Sequence, residues 1–133
     1  MERLIQEDYL EDPWKMLVCC ILLNQTTNQQ VRKVLLPLFE LIPDPSTASN
    51  TQPEQIATII RSTGFSSVKS QRIVDLSKKW NSGFDSVLEL PGVGRYASDS
   101  WKIFVEKNIH IQVTDKKLQA YLDSVLALPE SVS

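Results

Sequence analysis

Apolar positions along this chain recur at three- and four-residue spacing almost from end to end, the signature of amphipathic helices, and strand content near zero is expected. Asp12-Pro13 reads as an N-cap followed by a first-turn proline, opening a helix over 14–25. Its run Met16-Leu17-Val18-Cys19-Cys20-Ile21-Leu22-Leu23 is apolar nearly all round, which marks a central helix. After an Asn28 cap, Val31, Val34, Leu35, Leu38 and Leu41 define a second helix that Pro37 bends and Pro43-Asp44-Pro45 ends. Pro53 begins a short helix carrying Ile56, Ile59 and Ile60, stopped by Gly64. Ile73, Leu76, Ser77 and Trp80 form one face of the next. A brief helix over 85–89, the turn Leu90-Pro91-Gly92-Val93-Gly94 and a helix over 95–105 follow. Residues 108–113 read as extended or irregular, and Thr114 or Asp115 caps a last helix through Leu118, Tyr121, Leu122 and Val125.

This pattern predicts an all-α fold. No linker, repeat or low-complexity tract divides the 133 residues, so one domain over 1–133 is expected, with a hairpin motif at about 85–105. A hydrophobic content of 42% with 23% charged residues is that of a globular chain, and no apolar run approaches the ~20 residues that span a bilayer. The first eight residues are too acidic and polar for a targeting peptide, so an intracellular protein is expected: nuclear in a eukaryote, otherwise in the cytoplasm or nucleoid. Cys19 and Cys20 are adjacent within an apolar run and read as buried, reduced thiols. With His110 as the one histidine, they fall short of a zinc or iron–sulfur site, and neither metal nor cofactor is expected.

A net charge of -2 and a pI near 5.4 count against a protein that merely coats nucleic acid. The charge is uneven, however. Residues 68–117 hold nine basic and six acidic side chains, against five and ten elsewhere, which permits an anion-binding face and is equally compatible with scattered solvated charge. The turn at 90–94 supplies a sharper candidate. Its glycines let the chain turn tightly and let another backbone come close. Its N–H groups, with the first turn of the helix behind it, form an anion site that needs no lysine. A DNA phosphate fits there, and so does a plain helix connector with no ligand.

Leu90-Pro91-Gly92-Val93-Gly94-Arg95 resembles the hairpin of the helix-hairpin-helix DNA glycosylases, the superfamily of endonuclease III and the adenine glycosylases. In that superfamily a catalytic aspartate follows some twenty residues later, and Asp115 stands 21 residues after Gly94. Further segments are similar to a narrower branch, the glycosylase domain of the methyl-CpG-binding-domain protein 4 type. They are Leu4-Ile5-Gln6-Glu7, Asp12-Pro13-Trp14-Lys15, Leu22-Leu23-Asn24-Gln25-Thr26 and the stretch from Gly94-Arg95-Tyr96 to Lys102-Ile103-Phe104. The resemblance covers nearly the whole chain in order. It implies a helical HhH-GPD glycosylase fold without an iron–sulfur cluster, and excision of thymine or uracil mispaired with guanine. Excision of another base, or a module that binds DNA and has lost catalysis, are the alternatives.

Breaking an N-glycosidic bond leaves positive charge on the sugar, so a fixed anion must stand near it. The resemblance gives that role to Asp115, which is also a natural helix cap. Relatives that cut the backbone carry a lysine where this chain has Tyr96, and a phenol forms no Schiff base. Tyr96 is therefore expected to line the base pocket of an enzyme that stops at an abasic site. Gln6 offers a donor and an acceptor to the edge of a flipped pyrimidine, and Lys117 is grouped with it and Tyr96 in base recognition. Gln25 and Phe65 occupy the wedge positions, where the mismatch branch usually has a basic residue and leucine. Gly92, Val93, Gly94, Arg95 and Lys116 are the expected phosphate contacts. The partner implied is double-stranded DNA containing a mismatch, with no membrane, and a monomer is expected.

Overall fold

The apolar segment behind Asp12-Pro13 becomes the axis of the molecule. Asp12 accepts a hydrogen bond from the Lys15 amide at 3.1 Å and starts α1 (Pro13–Leu22), in which Trp14 and every residue from Met16 to Leu22 are buried. Full burial of one such side chain stabilises the fold by about 1.5–3 kcal/mol. The structure, a computed structural model, describes residues 3–128, and every helix or strand element among them is a helix. Around α1 lie a 3-10 turn (Ile5–Tyr9), α2 (Asn28–Leu41), α3 (Pro45–Ser49), α4 (Pro53–Ile60), α5 (Ser66–Ser82), α6 (Arg95–Phe104) and α7 (Lys116–Leu126). The end of α1, the middle of α5 around Arg72 and the heads of α6 and α7 meet where the site lies.

The polar member of the predicted α5 face has a structural reason. Ser77 accepts from the Trp14 indole N–H at 3.1 Å and donates to the Ile73 carbonyl at 2.7 Å, so the two longest-buried helices are joined without an unpaired donor. Trp80 packs with Phe84 and Trp101 at ring separations of 5.2 and 6.1 Å, tying α5 to α6. Phe104 and Tyr121, 4.9 Å apart, dock α7 on α6. Both cysteines are buried and unpaired, as expected, and burial pushes both thiols up, that of Cys20 to about 12.

Several boundaries differ from the pattern. The first helix ends at Leu22 and not near 25, because Gln25 adopts a left-handed conformation (φ 56°) and turns the chain. Thr27, not Asn28, caps α2, accepting from the Gln30 amide at 3.2 Å, and Pro37 lies within α2 without ending it. Asp44-Pro45 starts α3 instead of only closing α2: Asp44 accepts from the Thr47 amide at 2.7 Å, the same device that Asp12-Pro13 uses. The helix expected over 85–89 is a single 3-10 turn (Val87–Glu89), with Ser86 and Glu89 forming a capping box. Gly64 (φ 76°) stops the α4 segment as expected, and Phe65 behind it is also left-handed (φ 49°).

Candidate active site

The hairpin sits directly on the end of α1. Gly92 has φ 80°, and a Cβ there would come within 3.0 Å of the Ile21 side chain and 3.3 Å of Arg72, so both conformation and space demand glycine. Gly94 is different. Its φ is -98° and nothing lies within 4 Å of where its Cβ would be, so its bareness keeps the amides at the head of α6 open to solvent. No side chain caps α6, which leaves its first N–H groups free for an anion.

The start of α7 faces the same space. Asp115 is its N-cap: Oδ2 accepts from the amides of Lys117 and Leu118, both at 3.0 Å, while Oδ1 has no hydrogen-bond partner among the described residues. The cap thus fixes the carboxylate and leaves one oxygen for other work. Asp115, Tyr96, Gln25, Lys116 and Lys117 line one open cleft of about 1050 Å³, together with Gly92, Val93, Gly94 and Arg95. That volume lies at the upper end of ordinary ligand pockets, enough for a nucleoside with room for its flanking phosphates.

Two of the expected site residues are elsewhere. Gln6 is 1% exposed and lies behind Tyr96, outside the cleft lining. Its amide nitrogen donates to the Tyr96 hydroxyl at 2.6 Å and to Ser100 at 3.1 Å, whereas its carbonyl oxygen has no partner. Gln6 therefore orients the phenol through its amide nitrogen, while its carbonyl oxygen finds no partner among the described residues. The phenol keeps its own proton to donate, and burial raises its pKa further above the usual 10. Phe65 lies outside the cleft lining too; it is 61% exposed on its left-handed turn, an exposed aromatic with no packing role. Arg95 lines the cleft but is already engaged, with Asp99 at 3.3 Å and the Gln112 carbonyl at 3.2 Å.

Polar residues of the cleft that had no expected place in the site include Asn28, Arg72, Thr114 and Asp99. The four-residue spacing of Arg95 and Asp99 is a signal that could have found the last. Arg72 comes in only because the hairpin folds back over α5.

The HhH-GPD family, described as superfamily base excision DNA repair protein, matches residues 18–130. The chain belongs to this superfamily. Two relatives and one solved structure are similar to it. The methyl-CpG-binding domain protein 4-like protein of Arabidopsis thaliana is 37% identical over 123 residues, which are 91% of this chain and 28% of that protein. The thymine/uracil-DNA glycosylase of Pyrobaculum aerophilum is 32% identical over 95 residues, 65% of this chain and 41% of that one. The chain thus spans less than half the length of either relative. A thermostable thymine-DNA glycosylase structure superposes with a TM-score of 0.68 over 77% of this chain and 51% of its own, at 23% identity. That likeness extends the HhH-GPD assignment to the fold.

Proposed function

We propose that this HhH-GPD chain hydrolyses the N-glycosidic bond of thymine or uracil mispaired with guanine in double-stranded DNA and leaves an abasic site. The observation that carries the reading is the Asp115 carboxylate, pinned through Oδ2 by two amides with Oδ1 unengaged, in one cleft with the hairpin glycines and Tyr96. A phosphate seated on the amides at Gly92, Val93 and Gly94 holds the backbone, and the flipped nucleotide enters the cleft. As the bond to the base lengthens, positive charge grows on the sugar and the fixed carboxylate stabilises it. The departing pyrimidine carries the bonding electron pair, water adds its hydroxyl to the anomeric carbon of the sugar, and the proton that water loses ends on the pyrimidine. Tyr96, held by Gln6, donates its phenol proton as a hydrogen bond toward the base.

Thymine and uracil differ by a methyl group, worth only ~1–3 kcal/mol in an apolar pocket, so both are substrates. Tyr96 stands where bifunctional relatives place a lysine and forms no imine with the sugar, so the strand stays intact. The chain's similarity to proteins named thymine and thymine/uracil glycosylases supports the choice of base.

The test is a panel of duplexes holding one G·T, G·U, A·8-oxoguanine or normal pair, with strands resolved before and after hot alkali. Breakage at G·T and G·U only after alkali is expected. Breakage without alkali contradicts the argument from Tyr96. Tight binding with no breakage in any duplex makes the chain a DNA-binding module.

A further inference from the structure

One buried cation stands apart from the cleft and touches the roots of two exposed turns. Lys69, on the first turn of α5, is 1% exposed. Its ammonium donates to the Leu22 carbonyl at 2.8 Å and to the Thr63 carbonyl at 2.7 Å, and no carboxylate among the described residues pairs with it. Leu22 is the last residue of α1, three positions before Gln25; Thr63 is two positions before Phe65. The main chain adds a further tie, since the Lys69 amide donates to the Phe65 carbonyl at 2.9 Å.

Gln25 and Phe65 share an unusual property. Both are exposed, and both are non-glycine residues at positive φ, 56° and 49°, a conformation that a turn holds only when its surroundings fix it. A lysine at the end of α1 has its own electrostatic reason, because the last carbonyls of a helix lack partners within its regular ladder and carry the negative end of its dipole, and here the Leu22 carbonyl takes the ammonium. Filling space alone would not call for a charge. A buried ammonium costs more than an apolar side chain unless its donors are used, and here they are used on the two carbonyls from which the strained turns depart.

We propose that Lys69 is a positioning residue that sets the separation of Gln25 and Phe65, so that both enter one duplex together when a mispaired base is extruded. The inference rests on the glycosylase reading for its purpose, not for its geometry. Two side chains filling the gap left by one flipped nucleotide must arrive at a fixed spacing. Without the ammonium the two turns relax independently. Extrusion then fails more often, while chemistry on a base that is already unstacked proceeds.

The test has two readouts. In the first, spin labels on Gln25→Cys and Phe65→Cys report the distance between the turns, with the buried native cysteines unreactive. A single narrow distance is expected with Lys69 present, and a broadened one in Lys69→Met. In the second, single-turnover excision is compared for thymine opposite guanine and thymine opposite an abasic site. Lys69→Met should slow the first by about 10-fold or more and the second by less than about 3-fold, since only the first requires the base to be forced from a stacked pair. Phe65→Ala should cost less in the Lys69→Met background than alone, as coupled positions do. If methionine prevents folding, Lys69→Gln, whose shorter amide cannot span both carbonyls, carries the same comparisons. An unchanged label distance, or equal slowing on both duplexes, overturns the proposal. Should the parent protein excise nothing from any duplex, the glycosylase reading fails while the label distance still decides the role of Lys69.

Discussion

The hairpin with the head of α7, and the pair of turns at Gln25 and Phe65, are built by different rules. In the first region the contacts that fix the carboxylate are local, since Asp115 bonds amides two and three residues ahead, although Gly92 also packs closely on Ile21. In the second, the decisive contact joins Lys69 to a carbonyl 47 residues earlier. Local construction lets neighbouring residues hold separate jobs, so substitutions there should divide stability from function. Long-range construction makes the jobs inseparable, and a substitution at Lys69 should loosen both turns at once.

The largest effect is expected at Asp115. Asparagine caps a helix as well as aspartate does, so Asp115→Asn should keep the α7 head folded and melt close to the parent. What it loses is the charge that the proposed reaction sets beside the sugar. Excision at G·U should fall by about 10²–10⁴-fold, with mismatch affinity retained, in single-turnover and binding measurements. Normal turnover would show that the carboxylate is only a cap, and large destabilisation would show that cap and charge are not separable.

The two hairpin glycines sharpen the same contrast with a smaller effect. Gly92→Ala places a methyl group 3.0 Å from Ile21 at φ 80° and should cost about 1–3 kcal/mol in thermal or denaturant unfolding. Gly94→Ala meets open space at φ -98° and should change stability by less than about 0.5 kcal/mol. Its methyl group instead intrudes on the amides proposed to hold a phosphate, and duplex affinity should fall about tenfold, the loss of one charge-assisted hydrogen bond. Equal behaviour of the two alanines would remove the distinction between a structural glycine and a binding one.

Legibility from the sequence follows the same division. The cap at Asp115, the glycine hairpin and the apolar axis of α1 were readable because capping, turn chemistry and periodicity act within a few residues. Asp44-Pro45 carried the start signal that Asp12-Pro13 carries; its place just after a helix made it read as a stop. The bond that ties Gln6 to Tyr96 spans 90 residues, and no local pattern announces it. Lys69 was invisible for a similar reason: periodicity assigns a lysine to the solvated face, and only the fold reveals carbonyls waiting for it. The basic excess over 68–117 accordingly overstated the free charge, since Lys69 is buried and Arg95 is held by Asp99.

The smallest effect separates the two regions by the sign of their response to alkali. Burial raises the Tyr96 hydroxyl above its usual 10, with Gln6 pulling weakly the other way. Below pH 10 the phenol is neutral in both folded and unfolded chains; above it the unfolded chain releases a proton that the folded one retains, so stability falls as pH rises. Burial moves Lys69 in the opposite sense, below its usual 10.5. Between its folded and unfolded values the unfolded chain binds the extra proton, so this group makes stability rise with pH until about 10.5. Tyr9, pushed up to about 12, acts in the direction of Tyr96 and is common to all variants. Relative to the parent, Tyr96→Phe should therefore lose less stability above pH 10, and Lys69→Met should lose its gain on approach to pH 10.5. Denaturant unfolding between pH 8 and 11 reads both slopes, and a shared sign would mean that the two regions do not differ in how they hold their buried polar groups.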